Sequence, residues 1–182
     1  MDNSLVGVQE FLDEVRIPIR LACKTKTGWP MVVSLWFLHQ DGFLYCATQK
    51  SAKVVEYLQQ DDRCAFEIAK DRPPYCGIRA QARAKIDRSM GVEILERLLI
   101  RYLGDTNSAL AKRLLANSET EVAIVLNPIR VFTWDFSDRM VDIRADDQPK
   151  KSLPLMEVIR VGFRRQRYPI SLFENNIPPS FD

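Results

Sequence analysis

No stretch of the chain approaches the ~20 consecutive apolar residues that a membrane-spanning helix needs. The opening segment, MDNSLVGVQEFLDEVR, is acidic and amphipathic rather than charged and then apolar, unlike a secretory signal, so a cytoplasmic location is expected. Histidine is nearly absent, with His39 alone, and the four cysteines (Cys23, Cys46, Cys64 and Cys76) form no CxxC pair. A zinc site is therefore not expected, and no metal ligands are assigned. The cysteines are isolated, and three sit inside apolar strand-like runs where a free thiol behaves as a small hydrophobe; disulfides are not expected. Charge of one sign is lacking too: 26 basic residues face 24 acidic ones, a net charge of +2. That balance does not support wholesale binding to nucleic acid or to a membrane surface, and neither is expected as a partner, although local patches leave a nucleic-acid-binding barrel as a lesser alternative. There is no internal repeat, no low-complexity segment, and no catalytic triad or carboxylate pair.

What is present is an ordinary globular composition, 46% hydrophobic and 27% charged. At 182 residues the chain is near the common size of one domain, long enough to remove roughly 70% of its unfolded surface from water.

Apolar residues at helical spacing (Leu5, Val8, Leu12, Val15) predict a first helix over residues 4 to 16, stopped by Pro18. Strand patterns follow: PIRLACKT, a TGWP turn, MVVSLWFL, and FLYCAT after a hairpin at Asp41-Gly42. Residues 31 to 38 read as one strand whose core face carries Met31, Val33, Leu35 and Phe37. CAFEIAK alternates, and GIRAQARAKI sets Ile78, Ala80, Ala82, Ala84 and Ile86 against Arg79, Gln81, Arg83 and Lys85. Alanines on the inner face imply something packed closely over them.

SMGVEILERLLIRYL returns to helical spacing, with Ser89 as its expected cap and Gly104 as its stop; a further helix is expected from Ser108 to about Leu115. EVAIVLNPIRVFTWDF reads as two strands broken at Asn127-Pro128, because proline cannot donate to a sheet ladder. The fold class expected is α+β, mainly β: six to seven mostly antiparallel strands, Greek-key-like, forming a small barrel or strongly curled sheet with flanking helices. Residues 1–140 would form that domain. Residues 141–182, rich in proline, would be a C-terminal extension docked on the body or on a partner subunit.

One corner carries candidate chemistry. In LYCATQKSAKVVEYL a strand gives way to a helix, with Thr48, Lys50, Ser51 and Lys53 at the changeover. If Ser51 begins that helix, the unsatisfied amides of the first turn and two lysines outline a phosphate site. The alternative is a capped helix start with solvated lysines, and spacing alone leaves both open.

The segment RIPIRLACKTKTGWPMVVSLWFLHQDGFLYCATQKSAKVVEYLQQDDRCAFEI resembles the flavin-binding split barrels related to pyridoxamine 5′-phosphate oxidase. PPYCGIRAQARA, RYLG and NPIRVFTWDF resemble later blocks of the same superfamily. The resemblance covers about residues 5 to 137. It implies an FMN-dependent oxidoreductase moving two electrons to or from a small planar substrate, with the FMN at the interface of a homodimer. Carried over by position, Thr48, Ser51 and Lys53 would hold the phosphate with help from Lys50. The backbone of Val32, Val33 and Ser34 would follow the isoalloxazine edge, with Trp36 nearby. Arg79 is assigned to the far wall and Trp134 to packing across the dimer, though a solvated strand face and an ordinary core tryptophan remain the competing readings. Ala52 stands where the vitamin-synthesis oxidase has arginine, and that enzyme's arginine-rich C-terminal motif is missing, which argues against pyridoxine phosphate oxidation. PPYCGIRAQARA also resembles the F420-dependent reductases, so the deazaflavin F420 is the alternative cofactor. Haem or bilin handling and non-catalytic flavin binding are further alternatives.

Among the remaining residues, Arg83 is expected in surface ion pairs and His39 exposed and idle at its strand end. The basic cluster RVGFRRQR (160 to 167) is expected to be a solvated face.

Overall fold

The structure, a computed structural model, describes residues 3–141, and the side chains from residue 7 onward. The expected C-terminal extension and its basic cluster lie outside the described residues. Within them the order is α1 (Asn3–Glu14), β1 (Ile19–Lys24), β2 (Pro30–Leu35), β3 (Leu38–Gln40), β4 (Phe43–Gln49), α2 (Lys53–Gln60), β5 (Arg63–Ala69), β6 (Cys76–Asp87), α3 (Gly91–Leu103), α4 (Ala109–Leu115) and β7 (Glu121–Asp135). The seven strands form one antiparallel sheet in the order β2-β1-β5-β6-β7-β4-β3. It curls into a half-barrel whose two ends, β2 and the β3–β4 hairpin, approach each other across a split.

The split explains the first departure from the sequence pattern. Residues 31 to 38 are not one strand: β2 ends at Leu35, and Trp36-Phe37 carries the chain from one edge of the sheet to the other. Alternation continues across the break because both flanks face the same core, so periodicity does not reveal it. Met31, Val33 and Leu35 pack on that core, and Phe37 is fully buried in it. The β3–β4 hairpin turns at Asp41 and Gly42, both with positive φ (52° and 79°), the geometry its Asp-Gly pair favours.

The longest strands hold the sheet together. On β6, Ile78, Ala80, Ala82 and Ala84 are buried, and the small side chains let α2 close over them with Val54, Val55 and Leu58. β7 is continuous rather than broken at Pro128. The ladder absorbs the missing N–H in a bulge, where Gln81 pairs with Arg130 and Ala82 with Pro128, leaving Ile129 as the extra residue. α3 lies on the opposite face of β4 and β7, burying Ile94, Leu95, Leu98 and Leu99 against Ala123, Ala47 and Trp36. Gly104 ends it in the left-handed conformation (φ 85°), as expected.

Ser89 does not cap α3: Met90 takes that place, because Ser89 is turned toward Asp87, donating its N–H and Oγ to Oδ1 at 2.9 and 2.7 Å. Ser108 does cap α4, accepting from the Ala111 N–H at 3.1 Å. No helix among the described residues is long and apolar enough to cross a membrane.

Candidate cofactor site

The β4–α2 corner is a tight turn closed by the Ala52 N–H donating to Gln49 O at 2.9 Å. The turn consumes Lys50 and Ser51, so α2 begins at Lys53 with Ala52, not Ser51, at the N-cap. Alanine has no oxygen to offer, and no side chain caps the helix. The Val55 N–H already donates to Ala52 O at 3.0 Å, which leaves the Lys53 and Val54 amides for another acceptor, with the positive end of the helix dipole behind them. Lys50 and Ser51 are exposed beside that terminus, and the Lys50 N–H ties the turn to Thr120 O at 2.8 Å.

Lys53 Nζ meets Glu56 Oε2 at 2.8 Å, and Lys26 from the β1–β2 turn pairs with the same carboxylate. These two cations, Lys26 first, hold the Glu56 carboxyl down at about 2, and Glu56 in turn raises Lys53. The result is three lysines from two segments around one helix start, with an internal carboxylate between two of them. Lys26 went unread in the sequence because TKTGWP signals only a turn.

Beside the corner, β2 is an edge strand, paired on one side only, so one row of its backbone groups is open. Val33 is packed inward while Ser34 and Val32 face out, Val32 with 62% of its surface exposed. Between β2, β4, α3 and α4 lies a cleft of about 360 Å³ whose lining includes Ser34, Trp36, Thr48, Gln49, Leu98 and Glu121. Trp36 stacks on Tyr102, ring centres 4.9 Å apart and planes within 9°. Tyr102 is itself fixed, its oxygen accepting from the Phe37 N–H at 3.3 Å, and burial pushes its phenol upward.

The structure therefore brings Val32, Val33, Ser34, Trp36 and Thr48 to the split, with Lys50, Ser51 and Lys53 at the adjoining turn. Two expected residues lie elsewhere in the chain. Arg79 stands on the outer face of β6, its guanidinium 5.9 Å from the Phe132 ring centre, and the register Ser34–Arg20–Glu67–Arg79 puts it three strands from β2. Trp134 pairs with Gly77 and packs 5.2 Å from Phe136, lining a separate hollow with Val8, Phe11 and Cys76.

Arg83 is ion-paired with Asp62 at 2.6 Å, as expected. His39 is not idle: its nearly buried ring contacts Asp13 Oδ1 through Nδ1 at 3.1 Å, because α1 packs on β3. The four cysteines are free; Cys23 and Cys46 are buried, and burial pushes the Cys64 thiol up to about 12. Among the described residues no group of three or more His, Cys, Asp or Glu side chains is placed to hold a metal.

No protein-family model and no curated protein matches this sequence. Solved structures do match its fold. A conserved hypothetical protein from Mycobacterium tuberculosis superposes with a TM-score of 0.62 at 18% identity, covering 79% of this chain and 89% of its own. An F420 reductase gives 0.59 at 19% identity, covering 68% and 94%. A protein from Listeria innocua provisionally named pyridoxamine 5′-phosphate oxidase gives 0.55 at 16%, covering 72% and 95%. The fold is thus the split barrel that these solved structures share.

Proposed function

We propose that this chain binds flavin mononucleotide at the split of its barrel and serves as a two-electron oxidoreductase for a small planar substrate. The observation that carries the reading is the uncapped start of α2, ringed by Lys50, Lys53 and Lys26 beside an open sheet edge. A phosphate dianion needs cations and N–H donors, and both converge there. A flat ring needs an apolar seat with hydrogen-bonding backbone along one side, which Val32, Val33 and Ser34 offer. Bound flavin would supply the electron transfer, while the protein orients it and shields one face from water. No side chain is assigned a proton-transfer role in this reading.

The reading includes a homodimer. Val32 is 62% and Ile129 65% exposed on the outer sheet face, apolar surface that a second copy would cover, and Arg79 and Trp134 would reach the cofactor from that copy. The deazaflavin F420 is the second reading, favoured by the shared fold of the F420 reductase. The absorption spectrum of the purified protein, followed by titration with FMN, F420 and haem, separates these cofactors. Lys53→Ala is expected to weaken FMN retention about tenfold, the scale of one charged hydrogen bond. Unchanged retention would refute the phosphate assignment.

A further inference from the structure

The start of β7 buries a charge. Glu121 is 8% exposed and is the one charged side chain buried among the described residues. Its Oε1 accepts from Gln49 Nε2 at 2.5 Å, while Gln49 Oε1 accepts from the Thr120 hydroxyl. The Thr120 hydroxyl also lies 2.9 Å from Asn117 O and has one proton to give, so the Gln49 orientation is set by Glu121, whose ionised carboxylate can only accept. A carboxylate takes about four donors when fully satisfied. Among the described residues, Gln49 supplies the only one that reaches the Glu121 side chain.

Glu121 also lines the 360 Å³ cleft, where Trp36, Ala47, Leu95, Leu98 and Leu114 form an apolar body. That volume suits a small molecule, and a few polar groups on apolar walls are the usual make-up of such a site. Burial raises the Glu121 carboxyl above its ordinary value, the mark of a charge short of partners. An anionic ligand would worsen that shortage. A ligand bringing N–H groups and positive charge would relieve it.

We propose that this slot binds the apolar end of an organic cation, an ammonium or amidinium compound whose body lies between Trp36 and Leu114 and whose N–H groups meet Glu121. The cleft shares Ser34, Trp36 and Thr48 with the proposed flavin site, but the cation subsite is argued from Glu121 and the apolar walls and stands without the flavin reading.

Calorimetric titration of the full chain with tryptamine and with tryptophol, equal in shape but carrying an ammonium or a hydroxyl, tests it. Tryptamine is expected to bind tighter by about tenfold or more, the range for a hydrogen bond to a charged group. Glu121→Gln keeps the contact to Gln49 but removes the charge, and should erase that preference while the variant still melts cooperatively. Leu114→Trp fills the slot and should abolish binding of both probes, whether or not Glu121→Gln folds. Equal affinity of the wild type for both probes, binding of neither, or a preference surviving Glu121→Gln overturns the proposal. FMN absorbance, read on the same samples, reports the cofactor reading separately.

Discussion

At Gly91, the first residue of α3, helix and sheet approach closely, and Gly91→Ala measures how rigid that approach is. A Cβ at this position would stand 2.1 Å from Glu121 O, 2.4 Å from Glu121 C and 2.7 Å from Val122 N. All three are backbone atoms of β7 and cannot rotate away. Relief requires α3 to lift off the sheet, loosening Ile94 and Leu98, both essentially inaccessible, from Ala123. Overpacking of this kind costs about 3 kcal/mol, since no flexible side chain can yield. Helix propensity returns up to about 1 kcal/mol for alanine over glycine. The net expectation is a loss of about 2 kcal/mol, seen as a fall of about 4 to 8 °C in melting temperature by circular dichroism for a chain of this size. Gly7→Ala in α1 is the control: nothing lies within 4 Å of its added Cβ, so stability should hold or rise. A Gly91→Ala protein as stable as wild type would refute the close-contact argument. A lifted α3 would also widen the cleft that Leu95 and Leu98 line, weakening any ligand held there.

Lys26→Ala should weaken FMN retention like Lys53→Ala, by about tenfold, whereas Lys112→Ala on α4, away from the corner, should not; fluorescence titration of flavin decides. The raised Glu121 carboxyl sets the sign of a pH effect. Its folded form holds a proton above 4.5, where the unfolded form has lost it, so stability falls as pH rises through the window just above 4.5. Glu121→Gln lacks that loss and should gain on wild type between pH 4 and pH 8 in urea midpoint; a constant difference would contradict the assignment. In thiol labelling at pH 8, buried Cys23 and Cys46, together with Cys64 at about 12, should react only on unfolding, leaving Cys76 as the accessible thiol. Light scattering at micromolar concentration should show a dimer; a monomer with bound flavin would remove Arg79 and Trp134 from the site.

Much of the framework was readable without coordinates because it rests on local rules. The alternation along β6 marks its buried alanines, Asp41-Gly42 marks a hairpin, and Gly104 marks the end of α3. Where reading failed, a tertiary contact outweighed a local preference. Pro128 cannot donate, yet β7 runs through it because a bulge against β6 costs less than leaving both halves unpaired. Ser51 is the better N-cap by composition, yet the turn that joins Gln49 to Ala52 uses it up. Trp36 and Phe37 continue the alternation of β2 although they no longer belong to it.

The candidate site divides along the same line. Thr48, Lys50, Ser51 and Lys53 are contiguous, so their meeting at one corner follows from the chain itself. Lys26 reaches that corner only because the β1–β2 turn folds back to α2, and Glu121 is buried only because α3 and β4 close over the start of β7. Burial and long-range approach depend on residues dozens of positions away, and no local pattern encodes them. The strand and helix periods were properties of the sequence; the third lysine at the corner, the hidden carboxylate and the cleft it lines belong to the packed structure.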